Sequence, residues 1–71
     1  MRTIEYSEVI ALKKAVRERF GRDVHFHDYC SDYAFTLEEP DSEVQAFVVE
    51  HFARRQRNVV FAADGVTFTV E

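Results

Sequence analysis

The chain has one cysteine, one proline, two glycines and no tryptophan among its 71 residues. A single thiol forms no internal disulfide, so the fold has to be held by its core. Neither glycine stands in a phosphate-cradling loop, and there is no Gly-x-Ser-x-Gly or His-Glu-x-x-His run. The familiar nucleotide, kinase, hydrolase and metalloprotease signals are therefore missing. The longest apolar run, Val59 to Ala63, falls far short of the roughly 20 residues that span a bilayer. Residues 1–8 carry neither the apolar stretch nor the small-residue cleavage site of a signal peptide. A reducing, cytoplasmic setting without membrane attachment is expected. Positive charge is also in short supply, since 9 Lys and Arg against 13 Asp and Glu leave a net charge of −4. Nucleic-acid binding rests on neutralising phosphates with Lys and Arg, so no nucleic-acid partner is expected.

What the chain does have is apolar and aromatic bulk: 46% of residues are hydrophobic, including seven Phe and three Tyr, which places it among globular domains. Eight of the nine basic residues fall in two blocks, Lys13, Lys14, Arg17, Arg19, Arg22 and Arg54, Arg55, Arg57. Each block suits the negative C-terminal end of a helix. Side by side, as parallel helices would place them, they would form one anion-binding patch.

Ile4 and Tyr6 read as a lead-in that docks on the core, and Ser7 reads as an N-cap with Glu8 at the positive end of a helix. Val9, Leu12, Ala15, Val16 and Phe20 then recur at three- and four-residue steps, which predicts an amphipathic helix ending at Gly21. From Arg22 the period falls to two. Val24, Phe26 and Asp28 alternate with His25, His27 and Tyr29, and after Cys30-Ser31-Asp32 a second alternating run carries Tyr33, Phe35 and Leu37. A turn centred between Ser31 and Asp32 would set Tyr29 opposite Ala34, Phe26 opposite Leu37 and His25 opposite Glu38. In that register Asp28, Tyr29, Cys30, Tyr33 and Phe35 extend beyond the common sheet.

Pro40 has no N–H to give to a ladder and stops the strand. Ser42 with Gln45 three residues on is a capping-box pattern. The helix it opens turns Val44, Phe47, Val48, His51 and Phe52 inward, with Val49 on a flank, and Asn58 turns the chain out. Val59, Phe61 and Ala63 form a strand, Asp64-Gly65 is a strong hairpin signal, and Val66, Phe68 and Val70 form the last strand. Ser7-Glu8-Val9 repeats as Ser42-Glu43-Val44, and Ala11, Arg19, Val24 and Phe26 as Ala46, Arg54, Val59 and Phe61, an offset of 35 residues. The expectation is an α+β, two-layer single domain over 1–71 with order α-β-β-α-β-β. Two helix-and-hairpin halves, about 7–38 and 42–71, share one four-stranded, mostly antiparallel sheet with both helices on one face.

Four constellations bear on function. His25 and His27 share a strand face with Glu38, a two-histidine, one-carboxylate set suited to zinc or iron, although an ordinary His25–Glu38 cross-strand pair accounts for the same pattern. Cys30 is a candidate nucleophile or redox thiol, but alternation points it away from His27, which favours an incidental thiol at a hairpin tip. Asp28 faces the helix layer, where a carboxylate needs backbone N–H partners, so its expected role is structural. Finally, Tyr29, Ala34, Thr36, Val60, Ala62, Thr67 and Thr69 make the other sheet face only mildly polar, which suits a protein partner or a homodimer as well as it suits plain solvation. His51 reads as a histidine at the core boundary.

The run Val24-His25-Phe26-His27-Asp28-Tyr29-Cys30, following a helix that ends Arg19-Phe20-Gly21, resembles the small bacterial proteins of the RDAC family. Their strand carries Arg-Asp-Ala-Cys or His-Asp-x-Cys. His27-Asp28-x-Cys30 matches, with His27 in the Arg position and Tyr29 in the Ala position. The resemblance implies no activity or ligand, and draws attention to Asp28 and Cys30. Together these readings favour a non-enzymatic domain that binds a protein partner or itself.

Overall fold

A computed structural model describes residues 4–29 and 32–71. Helix α1 runs Tyr6–Phe20 and buries Val9, Leu12 and Val16, one stripe at three- and four-residue spacing. It begins earlier than Ser7 would allow as a cap. Glu5 is the residue before the helix, and Glu8 folds back so that its Oε2 accepts the Glu5 N–H at 3.0 Å. Gly21 closes the helix in the left-handed region at φ 68, where its N–H donates to the Arg17 carbonyl at 2.9 Å. Ile4 packs against the core as expected, whereas Tyr6 is 72% exposed.

Strands β1 (Val24–Tyr29) and β2 (Asp32–Leu37) pair antiparallel, with Tyr29 opposite Asp32. The register differs by two residues from the one the sequence suggests. Val24 faces Leu37, His25 faces Thr36 and Phe26 faces Phe35. This register sets Phe26 opposite Phe35, which in turn faces Phe68 on the last strand, so the three rings pack together across the sheet. A two-residue slip keeps every side chain on its expected face but changes every neighbour.

Helix α2 runs Ser42–Ala53. Its cap is Asp41, whose carboxylate accepts the N–H groups of Glu43 at 3.0 Å and Val44 at 3.4 Å, so Ser42 is the first helical residue. Gln45 is thereby released from a capping box and donates to the Gly65 carbonyl at 2.7 Å. Beyond α2 the chain reverses at Gln56, which adopts φ 60 while the Arg57 N–H reaches back to the Phe52 carbonyl at 2.9 Å. Asn58, expected to make that turn, instead exchanges backbone hydrogen bonds with Glu71.

Strands β3 (Val59–Phe61) and β4 (Thr67–Val70) form the second hairpin. Asp64 and Gly65 lie in its loop, where Asp64 accepts the N–H groups of Val66 and Thr67 and the Thr67 hydroxyl. These bonds hold the Asp64 carboxyl below its ordinary range, the Thr67 N–H contributing most. β2 and β4 pair antiparallel at the centre, giving the order β1-β2-β4-β3. The chain is thus α+β with order α-β-β-α-β-β and an antiparallel four-stranded sheet. β1 and β3 begin 35 residues apart, at Val24 and Val59, which matches the internal repeat.

The helices supply Val9, Leu12, Val16, Val44, Val48 and Phe52 to one core, and the strands supply Val24, Tyr33, Phe35, Leu37, Phe68 and Val70. Alternate strand residues are buried, so both helices lie on one sheet face. Phe35 and Phe68 stack in parallel with ring centroids 5.0 Å apart at the centre. Tyr33 and Phe35, expected beyond the common sheet, are both in this core, and the Tyr33 hydroxyl donates to the Val70 carbonyl. The helices run antiparallel, since Arg57 beyond the end of α2 pairs with Glu8 in the first turn of α1 at 3.2 Å, while Phe20 at the end of α1 meets Phe47 edge-on. The two basic blocks consequently lie at opposite ends of the helix layer.

Candidate functional site

The sheet face away from the helices collects the residues expected there. His25, His27 and Tyr29 come from β1, Ala34 and Thr36 from β2, Thr67 and Thr69 from β4, and Val60 from β3, with Ala62 just beyond it. Tyr29 is 59% exposed and Val60 49% exposed. The central threonines are only half-buried because no helix covers them. Thr36 and Thr67 are directly opposed across β2 and β4, and Val60 opposes Thr69. Two of the three hydroxyls are already committed: Thr36 Oγ1 bonds His27 Nε2 at 3.1 Å, and Thr67 Oγ1 donates to Asp64 at 2.7 Å. With those two hydroxyls bonded within the molecule, Ala34, Val60 and Ala62 supply the apolar surface of this face. The His27 and Tyr29 rings lie nearly parallel at its β1 edge, with centroids 6.5 Å apart.

The register places the residues of the suggested metal set differently from the expectation. Thr36, not Glu38, is opposite His25. Glu38 lies past the end of β2, where its Oε1 accepts the Asp23 N–H at 3.2 Å. Among the described residues no three His, Cys, Asp or Glu side chains form a metal-holding group. The thiol reading falls on Cys30, which lies outside the described residues. Asp28 is on the helix side of β1 by alternation, as expected, yet it is exposed because β1 is an edge strand there. The desolvation that motivated a structural role for it is therefore small.

His51 sits between Phe47 and Phe52, with ring centroids 6.1 and 5.2 Å away, and its Nε2 lies 3.3 Å from Arg55 Nη1. Burial first, then the charges of Arg55 and Arg54, lower its pKa. Since guanidinium only donates, Nε2 accepts and the imidazole is neutral. This is the core-boundary histidine the sequence suggests.

The cations are mostly occupied. Arg17 pairs with Asp23, Arg22 with Glu39 and Asp41, Arg54 with Glu50 and Arg57 with Glu8. Glu39 is the main reason the Arg22 pKa is raised. Arg19 lies over the rings of Phe20 and Phe47 at 5.6 and 5.5 Å. Lys13 and Lys14 are exposed and hold no ion pair among the described residues. They border a groove of about 480 Å³ between α1 and β1, also lined by Tyr6, Val9, Ile10 and Phe26. The sequence offers one faint signal of this feature, because Ile10 falls off the Val9, Leu12, Val16 stripe.

Comparison with protein-family models, with curated proteins and with solved structures gives no match for this chain.

Proposed function

We propose that this domain is a non-enzymatic interaction module that binds a protein partner, or a second copy of itself, through its open sheet face. The observation that carries the reading is the internal use of the Thr36 and Thr67 hydroxyls. A surface whose polar groups bond within the molecule loses little hydrogen bonding to water when covered, so burying its methyl groups, Ala34 and Val60 is favourable. Tyr29 at the margin offers a large ring with a polar tip, the kind of side chain enriched at protein interfaces.

Val60→Glu places a charge on the apolar β3 side of that face, on a side chain already half in solvent, and so spares the core. Sedimentation velocity across a wide concentration range, together with affinity capture, compares it with the unaltered protein. The expected result is self-association, or a captured protein, that the variant loses. A strict monomer whose captured proteins are the same with and without the substitution overturns the reading.

A further inference from the structure

We infer that the groove between α1 and β1 is a second binding surface, which takes an extended peptide segment of a partner protein carrying apolar and acidic side chains on one strand face. It is separate from the open sheet face. Among the described residues the strand order places β1 at an edge of the sheet, paired with β2 alone. Such an edge presents a row of backbone N–H and C=O groups to an added strand. The groove follows α1 from Tyr6 to Arg17 and meets that strand at Phe26, and it is chemically graded. Tyr6, Ile10 and Phe26 line its apolar part, and Tyr6 and Ile10 are 72% and 49% exposed. Lys13 and Lys14 border the rest, and Arg17 at the far end is held by Asp23.

The spacing suits a strand. Side chains on one strand face recur about every 6.8 Å, close to the roughly 6 Å between residues four apart on a helix. An apolar side chain and an acidic one two residues further on would therefore meet Ile10 and Lys14 in turn. Charge selects the occupant. In a chain of net charge −4, these two lysines without ion-pair partners among the described residues attract an acidic segment and hold off basic ones. A second copy docked edge to edge would bring the lysines of both copies together, a like-charge contact that disfavours self-pairing.

The probe is a fluorescein-labelled, blocked eight-residue peptide with valine, phenylalanine and two glutamates on one strand face and serine or threonine between them. Fluorescence anisotropy reads binding, and amide shifts in heteronuclear NMR locate it. Binding is expected to shift amides in β1 and on the exposed side of α1. The double variant Lys13→Glu, Lys14→Glu should weaken it by about tenfold or more, two charge-assisted contacts being removed and reversed. Replacing the glutamates by lysines should restore binding to that variant, and N-methylation of alternate peptide amides should abolish it. No binding at millimolar peptide overturns the inference. So does binding indifferent to the charge reversal or to N-methylation, or shifts confined to Val60 and Thr69. Tighter, lysine-dependent binding of single-stranded RNA or anionic vesicles would replace the acidic peptide with those partners.

Discussion

The Gln45 side-chain amide donates to the Gly65 carbonyl at 2.7 Å, fastening the first turn of α2 to the loop of the β3–β4 hairpin. Gly65 has φ 74, and a Cβ there would lie 3.3 Å from Gln45 Nε2 and 3.5 Å from Pro40 Cβ. Gly65→Ala is therefore expected to cost about 1–2 kcal/mol, chiefly for the left-handed backbone. Gln45→Ala should cost about 1 kcal/mol through the lost hydrogen bond. Urea denaturation of the two single variants and the double variant checks both, and because the residues touch, the effects should not add.

Gln56 makes the opposite prediction. It holds φ 60 without being glycine, at the turn that ends α2. Gln56→Gly should raise stability by about 0.5–1 kcal/mol, the relief of left-handed strain outweighing the added freedom of the unfolded chain. A higher midpoint in thermal or urea unfolding is the expected readout.

Phe35 is fully buried, stacked on Phe68 and within 6.3 Å of Phe52, ring centre to ring centre. Phe35→Ala should cost about 3–5 kcal/mol. A chain of this length is stable by only about 4–10 kcal/mol in all. The variant is expected to lose from about a third to all of that stability, read as a large drop in its urea midpoint or as lost chemical-shift dispersion in its NMR spectrum.

His51 makes stability depend on pH. Its folded pKa is lowered, by burial and then by Arg55 and Arg54. The unfolded chain therefore takes up the proton more readily. The stability of the neutral form is fully present above the unfolded value of about 6.5 and declines as pH falls from there toward the folded pKa. His51→Gln should flatten that decline. Urea midpoints measured from pH 8 to pH 5 for the two proteins give the comparison.

Capping of α2 separates two adjacent residues. Asp41 accepts the Glu43 and Val44 N–H groups, and Ser42 accepts neither. Asp41→Ala should cost about 1 kcal/mol, while Ser42→Ala should be close to neutral, alanine being the better helix former. Equal losses at both positions would show that the cap is shared.

Much of the architecture is legible in local pattern. The change from a 3.6-residue to a two-residue period at Arg22, the stop at Pro40 and the 35-residue repeat give six elements in the right order. They also assign strand faces correctly, because side-chain alternation is a property of the backbone itself. The open-face residues, from Tyr29 to Thr69, were accessible for that reason. The expected Ser7 and Ser42 caps miss because several neighbouring polar residues can serve, and the choice depends on where the chain enters the helix layer.

The sequence by itself determined which face of each helix and strand turns inward, which sheet face is open and how the elements follow one another, all consequences of periodicity and backbone sterics. Only the tertiary structure decided the rest. It selected the hairpin register that puts Thr36 rather than Glu38 opposite His25, since two registers differing by two residues bury the same side chains and a pattern cannot tell them apart. It set the helices antiparallel, which separates the basic blocks, and left β1 at the edge beside Lys13 and Lys14. Those outcomes rest on long-range packing around Phe35 and Phe68, which no local stretch of the chain encodes.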